Sequence, residues 1–215
     1  MNRFFMRKFL TFLAVVVMAS SMNAANKLDL KSITSGAFAA QKINGINSIQ
    51  GTDQYASISQ DGKQIIKYAF RTGKKIAVLF DVSKTKGEKI DGFDSYIISP
   101  NGNKLLICTK RQRIYRRSYK AEFFIYNIKS RELKKLSAGV SQQVPVWSPD
   151  NQHIAFVRDN NIFITDGDHE EQVTTDGKFN RIINGIPDWV NEEEFGFNTA
   201  MTWNADGSSL VWIKY

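Results

Sequence analysis

Two stretches of the sequence carry residues whose type and spacing could do chemistry. The first is Glu192-Glu193-Glu194, three consecutive acids inside the segment Lys178 to Phe197. Adjacent carboxylates on a short turn repel one another, which costs free energy unless solvent or a bound cation relieves it. The triplet therefore reads either as a solvated acidic turn or as a cation-holding site. The second stretch, Lys110 to Lys120, holds six basic residues: Lys110, Arg111, Arg113, Arg116, Arg117 and Lys120. Most of these suit the solvated rim of a long hairpin. As a nucleic-acid patch they are weak, because no recognition fold accompanies them.

Other familiar chemistries find no support. There is no G-x-S-x-G nucleophile elbow, and the nearest approach, Gly139-Val140-Ser141-Gln142-Gln143, lacks the second glycine. His153 reads as a half-exposed strand residue and His169 as a turn residue, neither with a serine or acid at triad spacing. The turn Asp166 to Glu171 is a poor match to a calcium loop. The lone Cys108 allows neither an intrachain disulfide nor a multi-cysteine metal site. No catalytic residue, metal ligand or cofactor is assigned to this chain.

The elements that must position the acids and arginines are short strands. Past residue 50 four places share one pattern, an alternating strand, a tight turn and an apolar strand. The turns start at Ser59, Ser99, Ser148 and Asn204, spaced 40, 49 and 56 residues apart. Third strands follow at Lys75 to Phe80, Glu122 to Asn127 and Asn161 to Thr165. Weaker fourth strands are expected near Lys89 and Ile90, at Glu132 to Leu136 and at Glu171 to Thr175. Repeats of roughly 40 to 50 residues with four strands each are the signature of β-propeller blades. The third interval is long because it contains the acidic segment. There Pro187 and Asp188 suit a helix start, and Trp189 to Phe195 provides one or two turns.

Composition agrees with this reading and limits the partners. The 215 residues are 42% hydrophobic and 23% charged, a globular balance that excludes a largely disordered chain. Arg3, Arg7 and Lys8 precede the apolar stretch Phe9 to Ala19 and the small residues Ala24-Ala25, the pattern of a secretory signal peptide. An uncleaved N-terminal anchor is the alternative, although the apolar run is short for a membrane span. Without residues 1–24 the 29 basic residues become 26 against 21 acids, so the net charge of +8 falls to +5 and gives no case for a polyanion partner. An exported, periplasmic or extracellular protein without a stable membrane anchor is expected, with Cys108 as a small buried apolar residue.

The segment Asn184-Gly-Ile-Pro-Asp-Trp-Val-Asn-Glu-Glu-Glu194 resembles the double-glutamate helix of the dipeptidyl peptidase IV family, serine exopeptidases related to prolyl oligopeptidase. Tyr115-Arg116-Arg117-Ser118-Tyr119 and the strand Phe124 to Ile128 resemble that family's arginine-bearing loop and the strand after it, with Tyr115 a mild departure before the arginine. The resemblance runs from about residue 28 to the end and implies roles for individual residues. Glu193 and Glu194 match the pair that holds a substrate's α-ammonium. Arg116 matches the arginine that binds a substrate backbone carbonyl, a task suited to a rigid multi-donor fork. Glu192 is read as structural. The serine, aspartate and histidine of the family lie in an α/β-hydrolase domain C-terminal to the propeller.

The expected fold is thus all-β, a propeller of four-stranded antiparallel blades, incomplete at about three and a half, with a short helical insertion carrying the Glu pair. Residues 1–24 are expected to be a signal peptide, 25–50 a lead-in segment and 51–215 the partial propeller; a complete open β-meander is the alternative. Because three and a half blades cannot close a ring, the sequence is expected to be the N-terminal part of a longer protein. The functional reading is the substrate-recognising propeller of an exported enzyme removing Xaa-Pro or Xaa-Ala dipeptides from peptide N-termini, able to form a homodimer at full length. The alternative is a non-catalytic secreted propeller acting as a binding or scaffold module. The isolated 215-residue chain is expected to release no dipeptide from an Xaa-Pro chromogenic substrate, and turnover by the purified chain would contradict the absence of catalytic machinery from it.

Overall fold

Strands dominate the computed structural model, which describes residues 29–40, 45–139 and 141–215; the expected signal peptide at 1–24 lies outside the described residues. Two units are separable, one up to Lys42 and one from Ile43 to Tyr215. In the first, the helix α1 (Leu30–Thr34) is capped by Asp29, which accepts the Ser32 N–H at 2.7 Å. No helix among the described residues is long and apolar enough to cross a membrane.

The second unit is a series of antiparallel sheets that follow chain order. The first sheet joins β1 (Asn47–Ser48), β2 (Gln54–Ile58), β3 (Gln64–Ala69) and β4 (Lys75–Asp81). The second contains β5 (Lys86–Gly87), β6 (Ser95–Ile98), β7 (Lys104–Arg113), β8 (Tyr119–Asn127) and β9 (Glu132–Lys135), in the order β5-β9-β8-β7-β6. The third is β10 (Gln143–Trp147), β11 (Ile154–Arg158), β12 (Asn161–Thr165) and β13 (Glu170–Gln172). A last pair, β14 (Met201–Trp203) and β15 (Leu210–Trp212), begins a fourth. This is an incomplete propeller of antiparallel blades.

One strand differs from the sequence expectation. Lys89 and Ile90 do not close the first sheet as a fourth strand. Instead β5, just upstream, crosses to the second sheet and runs parallel to β9, with Lys86 N–H donating to Arg131 O at 2.8 Å and Glu88 N–H to Leu133 O at 3.0 Å. A glycine permits it: at Gly87 the φ is 78° and a Cβ would fall 2.7 Å from Leu133 O. Ile90 packs instead against the core between the first two sheets.

The core follows from the two-residue period of a strand, which sends successive side chains to opposite faces. On β7, Leu105 and Ile107 join the cluster shared with the first sheet, while Leu106 and Cys108 join the cluster shared with the third. On β11, Ile154 and Phe156 face the second sheet, and Ala155 and Val157 pack with Met201 of β14. Both faces of these middle strands are therefore buried, which is why their sequences read as continuous apolar runs. Fully burying such a Phe, Ile or Leu contributes about 1.5–3 kcal/mol each, so the inter-sheet layers supply the stability. Burial also pushes the Cys108 thiol up, consistent with an inert core residue.

The four sequence repeats fold into one turn used four times. In the third copy Ser148 N–H donates to His153 O at 2.8 Å, His153 N–H donates to Ser148 Oγ at 2.9 Å, and Asn151 N–H donates to Ser148 O at 3.0 Å. Asp150 accepts the Gln152 N–H at 3.0 Å. Ser59, Ser99 and Asn204 repeat the same bonds with Gln64, Lys104 and Ser209. The fourth turn position is left-handed in every copy, with φ between 66° and 78°, which selects Gly62, Gly102 and Gly207 and, in the third copy, Asn151.

These turns carry a pH dependence. Hydrogen bonds from Ser59, Ser148 and Ser208 hold the carboxyls of Asp61, Asp150 and Asp206 below the ordinary value. A depressed folded-state pKa stabilises the fold above the unfolded value of about 3.9 and loses that contribution as the pH falls through the folded value. Urea midpoints should therefore fall as the pH drops from about 5 towards 2.5. The combined Asp61→Asn, Asp150→Asn and Asp206→Asn variant, which gives these turns the non-titrating side chain that the second turn has at Asn101, should flatten that slope. An identical acid slope in the variant would contradict this assignment.

Candidate functional site

The acidic triplet sits on α2 (Trp189–Phe195), the helix expected from Pro187 and Asp188. Asp188 is its N-cap, with Oδ1 accepting the Asn191 N–H at 2.8 Å and Asn191 Nδ2 at 3.0 Å. The helix ends at Gly196, whose N–H reaches Glu192 O at 3.0 Å. The segment leading into it is pinned by Asn184, buried and donating through Nδ2 to Asn160 O at 3.2 Å and Asp176 Oδ1 at 3.0 Å. The acids are thus carried by a helix of two turns whose two ends are both hydrogen-bonded.

The arginines sit on the far end of the β7–β8 hairpin. A register shift between Thr109 and Gln112 bends the hairpin, with Lys110 at φ 52°. Ile114 N–H then donates to Ser118 O at 3.0 Å and Arg113 Nη2 to Arg116 O at 3.2 Å, closing the loop. At its base Arg111 lies with its guanidinium carbon 3.8 Å from the Tyr119 ring centroid, a cation–π contact, and its backbone N–H donates to Asp94 Oδ2 at 3.1 Å.

Hairpin loop and helix meet although they are more than 70 residues apart in sequence. Arg116 Nε lies 3.0 Å from Glu193 Oε2, with the arginine side chain 70% and the glutamate 21% exposed. An ion pair this open contributes about 0–1 kcal/mol to stability, so its interest is in placing a multi-donor cation beside the acids. Glu194 is exposed and has no ion pair among the described residues. Glu192 is 1% exposed, and its Oε1 accepts the N–H groups of Arg117 at 2.6 Å and Ser118 at 2.8 Å. Asn198 Nδ2 adds a bond to Arg117 O at 3.3 Å. Trp189, Val190 and Phe195 leave large apolar surface exposed on the same helix.

Of the site residues expected from sequence, Arg116 and Glu193 are brought into direct contact and Glu194 lies on the next helical position. What sequence reasoning missed is the partner of Glu192, since nothing in a triplet of acids marks which member points inward. The only available signal was the helical period, which turns successive side chains by about 100° and so separates one member from its neighbours. No group of three or more His, Cys, Asp or Glu among the described residues is arranged to hold a metal ion.

Comparison with known proteins follows the same residues. Residues 99–215 match the model for the dipeptidyl peptidase IV N-terminal region. A probable dipeptidyl peptidase 4 of Aspergillus fumigatus is 38% identical over 124 residues, covering 56% of this chain and 16% of that protein. Human prolyl endopeptidase FAP is 30% identical over 203 residues, covering 91% of this chain and 25% of that protein. The crystal structure of Porphyromonas gingivalis dipeptidyl peptidase 4 superposes with a TM-score of 0.83 at 38% identity, over 88% of this chain and 28% of that one. The chain therefore spans between about a sixth and a little over a quarter of the length of these relatives.

Proposed function

The chain belongs to the dipeptidyl peptidase IV family, and on that premise we propose that it is the substrate-recognising propeller region of an exported serine-type dipeptidyl peptidase. In this reading Glu193 and Glu194 receive the α-ammonium of a peptide and Arg116 donates to a backbone carbonyl of the same peptide. Acyl transfer belongs to an α/β-hydrolase domain outside this sequence, and the full-length protein acts on peptide N-termini, with homodimerisation as part of the proposal. Export follows from the basic and apolar leader at residues 3–19.

The observation that carries this reading is the contact between Arg116 and Glu193 with Glu194 open beside it. A peptide N-terminus presents a cation and, a few bonds away, a carbonyl oxygen. Two neighbouring carboxylates and one guanidinium are the complementary set, and together they measure position from the chain end. An N-blocked peptide lacks the cation and leaves the acids without a partner.

In the full-length protein, Glu193→Gln and Glu194→Gln should each lower kcat/KM for free-amine Xaa-Pro substrates by about 100-fold, corresponding to about 3 kcal/mol for a lost partner of a desolvated charge. Substrates blocked at the amine should be affected far less. Equal losses on both substrate types would argue against ammonium binding, and no loss on either would sink the proposed site.

A further inference from the structure

We propose that Glu192 is a positioning residue: it clamps the arginine-bearing hairpin onto α2, so that Arg116 and the two following glutamates act as one rigid recognition unit. The inference rests on the proposed function and adds to it a role for the third acid, which touches no substrate group in that reading.

Glu192 holds two successive peptide units of the loop. The Arg117 N–H belongs to the same planar peptide unit as the Arg116 carbonyl, so fixing it at 2.6 Å fixes the backbone on the C-terminal side of Arg116. The Ser118 N–H, held at 2.8 Å by the same oxygen, fixes the next unit. The carbonyl end of that first unit accepts Arg113 Nη2 at 3.2 Å, and Ile114 N–H, on the N-terminal side of Arg116, donates across the tip to Ser118 O at 3.0 Å. A loop tip that would otherwise sample many conformations is thus fixed through the two peptide units that follow Arg116 and closed across the tip at Ile114.

Three further contacts join the same two elements. Glu193, the next residue of the helix, takes the Arg116 side chain itself. Asn198, just beyond the helix, donates to Arg117 O at 3.3 Å. The Arg117 guanidinium packs on the helix end, where a Cβ placed at Gly196 would come within 3.2 Å of its Nη2. Among these only Glu192 is buried, and it has no ion pair among the described residues, so its hydrogen bonds to the loop are what compensate its burial. Removing the loop contact would leave a buried carboxyl group unsatisfied, and removing the carboxyl would leave two N–H groups unsatisfied. Loop and helix therefore hold each other in place.

The test uses the full-length enzyme and a free-amine Xaa-Pro chromogenic substrate. Glu192→Gln keeps an Oε1 that can accept both N–H bonds and should retain kcat/KM within about 3-fold. Glu192→Ala should lose about 30-fold or more, and in an Arg116→Ala background the same substitution should cost less than about 3-fold, because the loop then carries no arginine to place. Hydrogen exchange of the peptide spanning residues 113–119 should speed up in Glu192→Ala, independently of activity. If Glu192→Ala does not fold, Glu192→Asp, one methylene short of the loop, should show the same loss and the same insensitivity in the Arg116→Ala background.

Full additivity of the two substitutions would overturn the proposal, as would a folded Glu192→Ala enzyme with undiminished kcat/KM. A Glu192→Gln variant as impaired as Glu192→Ala would also overturn it, because the negative charge rather than the hydrogen-bond acceptor would then be what matters. Failure of the underlying functional reading looks different: Arg116→Ala and Glu193→Gln would then retain full activity on their own.

Discussion

A carboxyl oxygen buried between a helix and a hairpin, accepting two successive backbone N–H groups, is the interaction on which the candidate site depends. Glu192 comes from an insertion after the third sheet, and the N–H groups of Arg117 and Ser118 come from a hairpin extending out of the second. Neither element is wide enough to form a recognition surface alone. The helix has only seven residues, and the loop tip is a five-residue excursion beyond the strands. Joined through a buried, hydrogen-bonded acid, they present a guanidinium and two carboxyl groups from fixed backbones, which is the condition for discriminating one charged end group from another.

The sheets provide the distance and the rigidity for that meeting. The middle strands β7 and β11 are buried on both faces, so successive sheets are locked by the apolar layers between them rather than by loops. The hairpin tip and the insertion then project from sheets whose spacing is set by side-chain volume, for example Leu106, Phe123 and Phe156 in the layer between the second and third sheets. The crossing of Lys86–Gly87 to the outer edge of the second sheet adds a backbone tie between the first two sheets. Exposed ion pairs such as Arg116–Glu193 contribute little to this framework and are free to serve binding.

Much of this was legible from residue order because local chemistry decides it. The turns at Ser59, Ser99, Ser148 and Asn204 are recognisable since a side-chain oxygen and a left-handed fourth position must recur at fixed spacing. The short helix follows from an Asp cap and a terminating Gly. The strand at Lys86–Gly87 was not legible, because two residues beside a glycine carry no period and their parallel pairing is decided by the outer edge of another sheet. The inward orientation of Glu192 was not legible either. Three identical residues differ only in which one meets Arg117 and Ser118, and that is set by how the helix docks, a tertiary property absent from the triplet itself.

A crystal structure of the full-length protein with a bound, slowly cleaved tripeptide carrying a free amine tests the proposed recognition most directly. The α-ammonium should lie within about 3 Å of carboxyl oxygens of Glu193 and Glu194, consistent with charge-assisted hydrogen bonding. Arg116 should then lie on a peptide carbonyl, while Glu192 remains on the N–H groups of Arg117 and Ser118. An ammonium bound away from both glutamates, or Glu192 turned from the loop onto the ligand, would contradict the proposed recognition.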